Sequence, residues 1–525
     1  MLFVKFILAL IPIIWLIVAL SGIKMAGFKA CVIALIIAAI EAVAIPFWHM
    51  RPVDAASAAL EGTLNALWPI ILVIIAALFT YNLTLETKAM DSIKKMLASV
   101  SMDQRILMLI IGWGFGNFME GMAGFGTAVA IPAGIMVALG FNPILTVVAC
   151  FVINTTPTAF GSVGVPTATL ATVTGLDVGT LAANTAVIEL ILMFLSPFIA
   201  ICILGKGFKA LKGVFGITVI SSLAFVAPAV LTAFGIGAEL PNIIGSIVCM
   251  VVTILLGVKT KNRPVPNEYR VLKKVPESGE GAAAAEEHFD VKEGIKAWSP
   301  FVLIFIFLLC TSKIIPFING PLSSIKSSFQ IYTGTGDPLG FTWINTPGVI
   351  IFIAAIIGGL IQGASFGTMG RVFVKTVKSN WKTIVTICAV LATAKVMSHS
   401  GMTSDIAGLL EKSGSFFPLV SPLIGVIGAF VTGSGTSTTV LFGDMQRQTA
   451  EAIGANPYWL ATANTMGAGI GKMISPQGLA IGAAAIGMSG QESKLMSATA
   501  KYCVLCVIIA CLCTYLLPML GVQIG

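Results

Sequence analysis

Three charged residues stand where charge is costly, and they define the chemistry available to this chain. Glu120 lies in Gly116-Asn117-Phe118-Met119-Glu120-Gly121-Met122-Ala123-Gly124, a stretch with no other charge. Ionisable groups inside apolar sequence default to function. Burial disfavours a carboxylate and suits Glu120 to carry a proton, the structural alternative being an acid held by a nearby cation. Lys472 follows a Gly-rich run and is placed to attract an anion; the alternative is a lysine snorkelling from a helix end. Asp444, after the glycine-rich Gly433-Ser434-Gly435-Thr436-Ser437-Thr438, is a second candidate for proton coupling. Arg447 and Glu451 have the spacing of a local i, i+4 pair. Lys395 and His399 share one helical face and are weaker candidates, while Glu41 and Glu189 have no motif around them. His49 and His288 read as boundary and linker residues. The three histidines are too scattered for metal-ligand spacing.

These residues fall in two distant stretches that repeat one pattern. After Glu120 come Gly140-Phe141-Asn142-Pro143, then Asn154-Thr155 with Gly161 and Pro166. The second stretch runs Gly428-Ala429-Phe430-Val431-Thr432-Gly433-Ser434-Gly435, then Gly454-Ala455-Asn456-Pro457, then Asn464-Thr465 with Gly471 and Pro476. Gly161 and Pro166 follow Asn154 at the intervals at which Gly471 and Pro476 follow Asn464. Broken backbone at membrane depth survives only where protein or a wet cavity surrounds it. Paired breaks in two halves of one chain mark a carrier's binding site.

Glycine turns let backbone approach a ligand, and the helix after each turn offers free N–H groups and a positive dipole end, which suit a carboxylate. On this reasoning the candidate substrate ligands are Gly124 at the first tip and Ser434, Gly435, Thr436 and Ser437 at the second. Asn154, Thr155, Asn464 and Thr465 are expected at helix breaks, where amide and hydroxyl groups add donors and acceptors. Close packing of small residues is the structural alternative for the tips.

The elements that must position these residues are membrane helices. Hydrophobic residues make up 57% of the 525 residues and charged ones 10%, against roughly 25% charged in soluble domains; mean hydropathy is +0.98. Residues 1–20 carry Lys5 and an apolar run without a small-residue cleavage site, and read as a retained span. The net charge of +8 resides mostly in a few loops, with no basic patch interleaved with aromatics to suggest nucleic acid. Cys503 and Cys506 have a redox spacing but lie within apolar sequence, as buried thiols do.

The expected fold is an all-α polytopic membrane protein, with about 12 transmembrane helices plus two re-entrant hairpins in two inverted-topology repeats. Runs 106–118, 417–431 and 458–465 are too short to cross and flank the repeated motifs. Basic loops prefer the cytoplasm: Lys88 to Arg105; Lys206, Lys209 and Lys212; residues 259–296; and Arg371, Lys375, Lys378 and Lys382. That pattern sets the N-terminus outside and makes the arms 106–118 and 417–431 enter from opposite faces. The expected organisation is N-terminal scaffold helices (1–83), a first repeat (84–258) with a hairpin around 116–140 and a broken helix 144–173, a cytoplasmic linker (259–297), scaffold helices of the second half (298–416), and a second hairpin, broken helix and C-terminal span (417–525).

Gly116 to Pro132 (GNFMEGMAGFGTAVAIP), Asn154 to Pro166 (NTTPTAFGSVGVP) and the tip Gly433 to Thr438 resemble the bacterial L-lactate permease family, and the likeness extends over nearly the whole chain. The resemblance implies lactate/glycolate:proton symport across the bacterial inner membrane by a multi-pass protein of the wider ion-transporter superfamily, with inverted repeats, re-entrant hairpins and elevator-like motion. It implies a small carboxylate, protons and membrane lipid as partners, no cofactor or metal, and an oligomeric state left open. Sodium-coupled dicarboxylate relatives carry Ser-Asn-Thr at their hairpin tips; this chain has that triplet at neither. Sodium-coupled mono- or dicarboxylate transport is the alternative. An enzyme would need a nucleophile–base pair or a metal cluster on one face, and the sequence has neither.

Overall fold

The computed structural model describes residues 2–23, 25–124, 126–271, 291–335, 338–489 and 491–525. Phe125 in the first tip, and most of the expected linker including His288, lie outside the described residues. Helix α1 (Leu2–Ala9) and α2 (Ile11–Ile17) form a pair bent by 46°. Helix α3 (Gly27–Ala44) follows. Then α4 (Pro52–Asn65) and α5 (Leu72–Glu86) make one long rod interrupted at Trp68, before Pro69, where the chain leaves helical geometry. Helix α6 (Ala89–Ala98) lays Met90, Ile93 and Leu97 against the core and exposes its charges, as a surface helix does.

The first matched stretch begins with α7 (Gln104–Leu107), widens into a π-helical segment to Gly116, and ends in α8 (Asn117–Met122). It returns through α9 (Thr127–Ala138), then α10 (Pro143–Ile153) and α11 (Gly161–Thr174). Helices α12 (Val178–Leu204), α13 (Phe215–Gly235) and α14 (Pro241–Lys259) complete this half. The start of the expected linker is packed rather than free: Val271 N–H donates to the Met102 carbonyl at 2.9 Å, and the Tyr269 ring lies 4.3 Å from the buried Arg105 guanidinium.

The second half holds α15 (Val291–Thr311), α16 (Pro316–Ser324), and a two-stranded antiparallel hairpin of β1 (Lys326–Phe329) and β2 (Leu339–Thr342). The expectation of an all-α chain is corrected by that hairpin, which forms in the polar loop after α16, where Ser, Thr and aromatic residues suit a pleated edge. Helix α17 (Pro347–Ile361) leads into α18 (Phe366–Ser400). Arg371, Lys375, Lys378 and Lys382, expected in a loop, are helical residues of α18; they occupy its first half, where charged side chains interrupt the hydropathy signal without breaking helical backbone. Helix α19 (Met402–Leu410) precedes the second matched stretch: α20 (Phe417–Thr432), α21 (Gly435–Ala452), α22 (Pro457–Gly471), α23 (Pro476–Ala485) and the long α24 (Glu492–Met519).

Among the described residues nine helices are long and apolar enough to cross a membrane, or up to eleven if each bent pair is one span. One continuous core, reaching from Leu16 to Ala510, unites both matched stretches with the flanking helices. The repeated Gly-x-Asn-Pro motif has the same structural use twice. Gly140 and Gly454 take positive φ (91° and 70°) to leave a helix. Asn142 and Asn456 then cap the next one, their side chains accepting from Leu145 N–H at 3.1 Å and Trp459 N–H at 3.2 Å, and proline takes the first helical position.

Candidate substrate cavity

The first break begins at Asn154. Pro157 lacks the N–H that would continue α10 and clashes with the carbonyl four residues back, so the helix stops. A 3₁₀ turn follows over Pro157–Phe160, and the two helical parts are bent by 64°. Ser162 and Val163 hold φ of 45° and 57°, a region costing about 1–3 kcal/mol for such residues and enriched at functional sites. Ser162 is fixed there by donating its hydroxyl to the Ala123 carbonyl at 2.9 Å, which ties the break to the first tip.

The second break differs from the expectation. Asn464 and Thr465 sit inside an unbroken α22, and the interruption comes later, at a 3₁₀ turn over Lys472–Ile474. No proline follows Asn464 as Pro157 follows Asn154, so the helix runs on until Ser475-Pro476 starts α23. Ser475 caps that helix, accepting from Gly478 N–H at 3.0 Å. Small residues let these helices touch backbone to backbone. A Cβ on Gly467 or Gly471 would strike the carbonyl of Pro422 or Val426 in α20, and one on Gly469 the carbonyl of Thr155. That last contact puts the two breaks side by side.

Both tips close on the same space. Gly124 and Gly433 turn with φ of 62° and 68°. At the second tip the Ser434 hydroxyl accepts from Ser437 N–H at 3.2 Å, leaving the first-turn N–H groups of Gly435 and Thr436 without a helical acceptor. Between tips and breaks lies a cavity of about 270 Å³. It is lined by Glu120, Gly124, Asn154, Thr158, Ser162, Ser434, Gly435, Thr436, Ser437 and Lys472, among others.

On its lining the two halves meet in an ion pair. Lys472 Nζ lies 3.1 Å from Glu120 Oε1 and donates to Thr158 Oγ1 at 3.1 Å and Asn154 Oδ1 at 3.5 Å. Glu120 is 3% exposed and Asn154 5%. Glu120 Oε2 and Asn154 Nδ2 are buried without a protein partner, so both retain capacity for a ligand or proton. The expectation of an acid held by a cation therefore describes Glu120, and Lys472 reaches inward rather than snorkelling out.

Other expected ligands lie elsewhere. Thr155 donates to the Val152 carbonyl at 2.8 Å and does not line the cavity; neither do Asn464 and Thr465, although the Asn464 amide and the Thr465 hydroxyl are buried and unpartnered. Asp444 belongs to a separate network, accepting from Arg447 Nε at 2.9 Å, Gln448 at 2.8 Å and Ser398 at 3.2 Å. Arg447 also pairs with Glu451 at 2.7 Å, as its spacing predicts. Lys395 and His399 converge on the buried Glu61, at 2.7 and 2.9 Å, and Tyr332 stacks on His399 at 3.8 Å. Glu189 is fully buried and neither of its carboxyl oxygens has a protein partner.

Sequence reading missed several cavity residues. Thr158, Ser162, Ser475 and Gln477 lie within or just after the flagged motifs, and their proximity to breaks was the available signal. Lys382, Thr383 and Thr386 come from α18, outside both repeats, and only tertiary packing brings them here.

A membrane-embedded helical protein, with two interrupted segments closing a small cavity around a paired acid and base, has the build of a permease for a small solute. Comparison gives the particular family: the chain belongs to the L-lactate permease family, which matches residues 5–521. It is 44% identical over 457 residues to an L-lactate permease of Streptococcus iniae, covering 87% of this chain and 93% of that one. It is 36% identical to the glycolate permease GlcA of Escherichia coli (94% and 92% covered) and 32% identical to an L-lactate permease of Bacillus subtilis (97% and 95%). Among solved structures, the YdaH transporter of Alcanivorax borkumensis aligns at 14% identity and a TM-score of 0.45, over 88% of this chain and 87% of that one, too distant to specify topology. The protein is thus a multi-pass membrane transporter, not an enzyme.

Proposed function

We propose that this chain is a secondary active transporter taking up L-lactate and related 2-hydroxymonocarboxylates (D-lactate, glycolate) with protons across the bacterial inner membrane. The names of its relatives support the substrate class. The Glu120–Lys472 pair in the shared cavity is the observation that carries the mechanism.

Coupling follows from charge balance. With the site empty, Glu120 carboxylate and Lys472 ammonium cancel. A lactate anion entering alone leaves one uncompensated negative charge in a low-dielectric site, a cost of several kcal/mol. A proton arriving alone leaves Lys472 uncompensated. When proton and anion arrive together, Glu120 becomes neutral and releases Lys472, whose ammonium then holds the substrate carboxylate. Counting the buried pair and its cargo, only the empty and doubly loaded states are electrically balanced, so these are the states that cross; Lys382, exposed on the same lining, lies outside this balance. Asn154 Nδ2 and the N–H groups of Gly435 and Thr436 serve as further donors to the carboxylate and 2-hydroxyl.

The helix order supports 12 crossings and two re-entrant hairpins. Counting α1–α2, α4–α5, α10–α11 and α22–α23 as single interrupted crossings, with α7–α9 and α20–α21 as hairpins, gives that number with the loop charges alternating as the positive-inside rule requires. The test is uptake by the purified protein in proteoliposomes, driven by an imposed pH gradient or by a sodium gradient at fixed pH, with L-lactate, D-lactate, glycolate, pyruvate and succinate in competition. Accumulation under the pH gradient alone, competed by 2-hydroxymonocarboxylates and not by succinate, is expected. A strict sodium requirement would overturn it.

A further inference from the structure

The cavity carries a charge that the coupling pair does not account for. Its lining holds three formal charges, Glu120, Lys472 and Lys382. The first two neutralise each other at 3.1 Å, so Lys382 leaves the cavity net positive. Among the described residues no acidic side chain forms a salt bridge with Lys382. Its ammonium instead stands 6.0 Å from the centre of the Phe28 ring and 5.9 Å from that of Trp381, two rings packed edge to face at 5.0 Å.

The lining also has a direction. Glu120, Asn154 and Ser162 are buried, whereas Ala26 and Lys382 are exposed, and a Cβ on Gly27 would meet only open space. The mouth therefore lies between the start of α3 and the middle of α18. Lys382 is 18 residues before Ser400 at the end of α18, about 27 Å along the helix axis. That is close to the roughly 30 Å hydrocarbon thickness, so Lys382 reaches one membrane interface when Ser400 lies at the other. The basic residues Arg371, Lys375 and Lys378 on the same helix mark Lys382's side as cytoplasmic.

We propose that Lys382 is a specificity-determining anion-docking residue at the cytoplasmic mouth, engaging the substrate carboxylate before it reaches Lys472 on the way in from the cytoplasm and after it leaves Lys472 on the way out. The proposal rests on the transport reading above. An unpaired cation in a low-dielectric funnel raises the local concentration of small anions, and salt screens that attraction over about 10 Å at 0.1 M. The neighbouring Thr383 and Thr386 give the same wall hydroxyls, and a neutral solute of equal size gains nothing from Lys382.

The experiment is counterflow of labelled L-lactate in inside-out membrane vesicles, where the cytoplasmic face is outermost, at about 20 and 300 mM of an impermeant salt. The half-saturating lactate concentration of the wild-type protein should rise several-fold with salt. Lys382→Gln should raise it roughly tenfold at low salt and make it insensitive to salt, while Lys382→Arg retains the wild-type pattern; right-side-out vesicles should show little difference between the three. A wild-type value flat across salt overturns the proposal without any variant, and so does a Gln variant that behaves as wild type. Wild-type vesicles with no lactate counterflow would instead overturn the transport reading itself.

Discussion

Replacing the two members of the central pair, singly and together, tests whether they act as one unit. At 3.1 Å, Coulomb's law gives about 5 kcal/mol at an effective dielectric constant of about 20. The Lys472 side chain is 19% exposed and Glu120 3%, so solvent reduces this, and we expect a coupling energy of about 2–3 kcal/mol in a double-mutant cycle. Lys472→Met strands Glu120 as an unpaired buried acid and should cost about 3–5 kcal/mol of apparent stability in detergent. Glu120→Gln preserves shape and removes charge, and the double variant should recover most of the loss. Function should separate along different lines. Lys472→Met loses a charged partner worth about 2–3 kcal/mol, weakening lactate binding roughly thirty- to a hundred-and-fifty-fold. Glu120→Gln mimics the neutral acid: it should still bind and exchange lactate, yet drive no alkalinisation of the outer medium when lactate enters proteoliposomes. Wild-type proton influx in Glu120→Gln, or strictly additive losses in the cycle, would refute the coupling argument.

Further outcomes follow from placement. Asn154→Ala removes a donor in the cavity and should raise half-saturating lactate about tenfold, whereas Asn464→Ala, outside it, should stay within about threefold; uptake kinetics of the two variants decide. Gly467→Val drives a side chain into the Pro422 carbonyl and should abolish recovery of monodisperse protein on size-exclusion chromatography. Asp177 begins α12, and hydrogen bonds from the Thr180 backbone and hydroxyl hold its carboxyl below the usual range. Its contribution is therefore present above the ordinary carboxylate range and is lost as pH falls through the depressed value. Asp177→Ala should cost about 1 kcal/mol at neutral pH, a difference in thermal unfolding that closes in acid.

Residues within one motif were legible because their local chemistry is local. The Gly-x-Asn-Pro turns, the glycine tips and the proline break after Asn154 each follow from backbone preferences of a few neighbouring residues. The spacing of the repeat predicts a second break at Asn464, but only the first copy has the proline that enforces a stop, and the second helix runs on to Lys472. Lys382 was hidden for the opposite reason: its charge and Trp381 interrupt an apolar run, which reads as a loop end, although α18 continues through both. The pairing of Glu61 is not legible in sequence because its partners, Lys395 and His399, lie on another helix.

Sequence alone determined that this chain lives in a membrane, that two interrupted segments recur in it, and that Glu120 and Lys472 are charges with a reason to be there. Helix formation, apolar partitioning and turn chemistry act over short stretches and leave their marks in residue order. Tertiary structure alone decided that Glu120 and Lys472 face each other, that Asp444 and Asn464 stay away from the cavity, and that a third helix brings Lys382 to its mouth. Those outcomes depend on how rods pack across hundreds of residues, where one glycine against one carbonyl sets which side chains can meet.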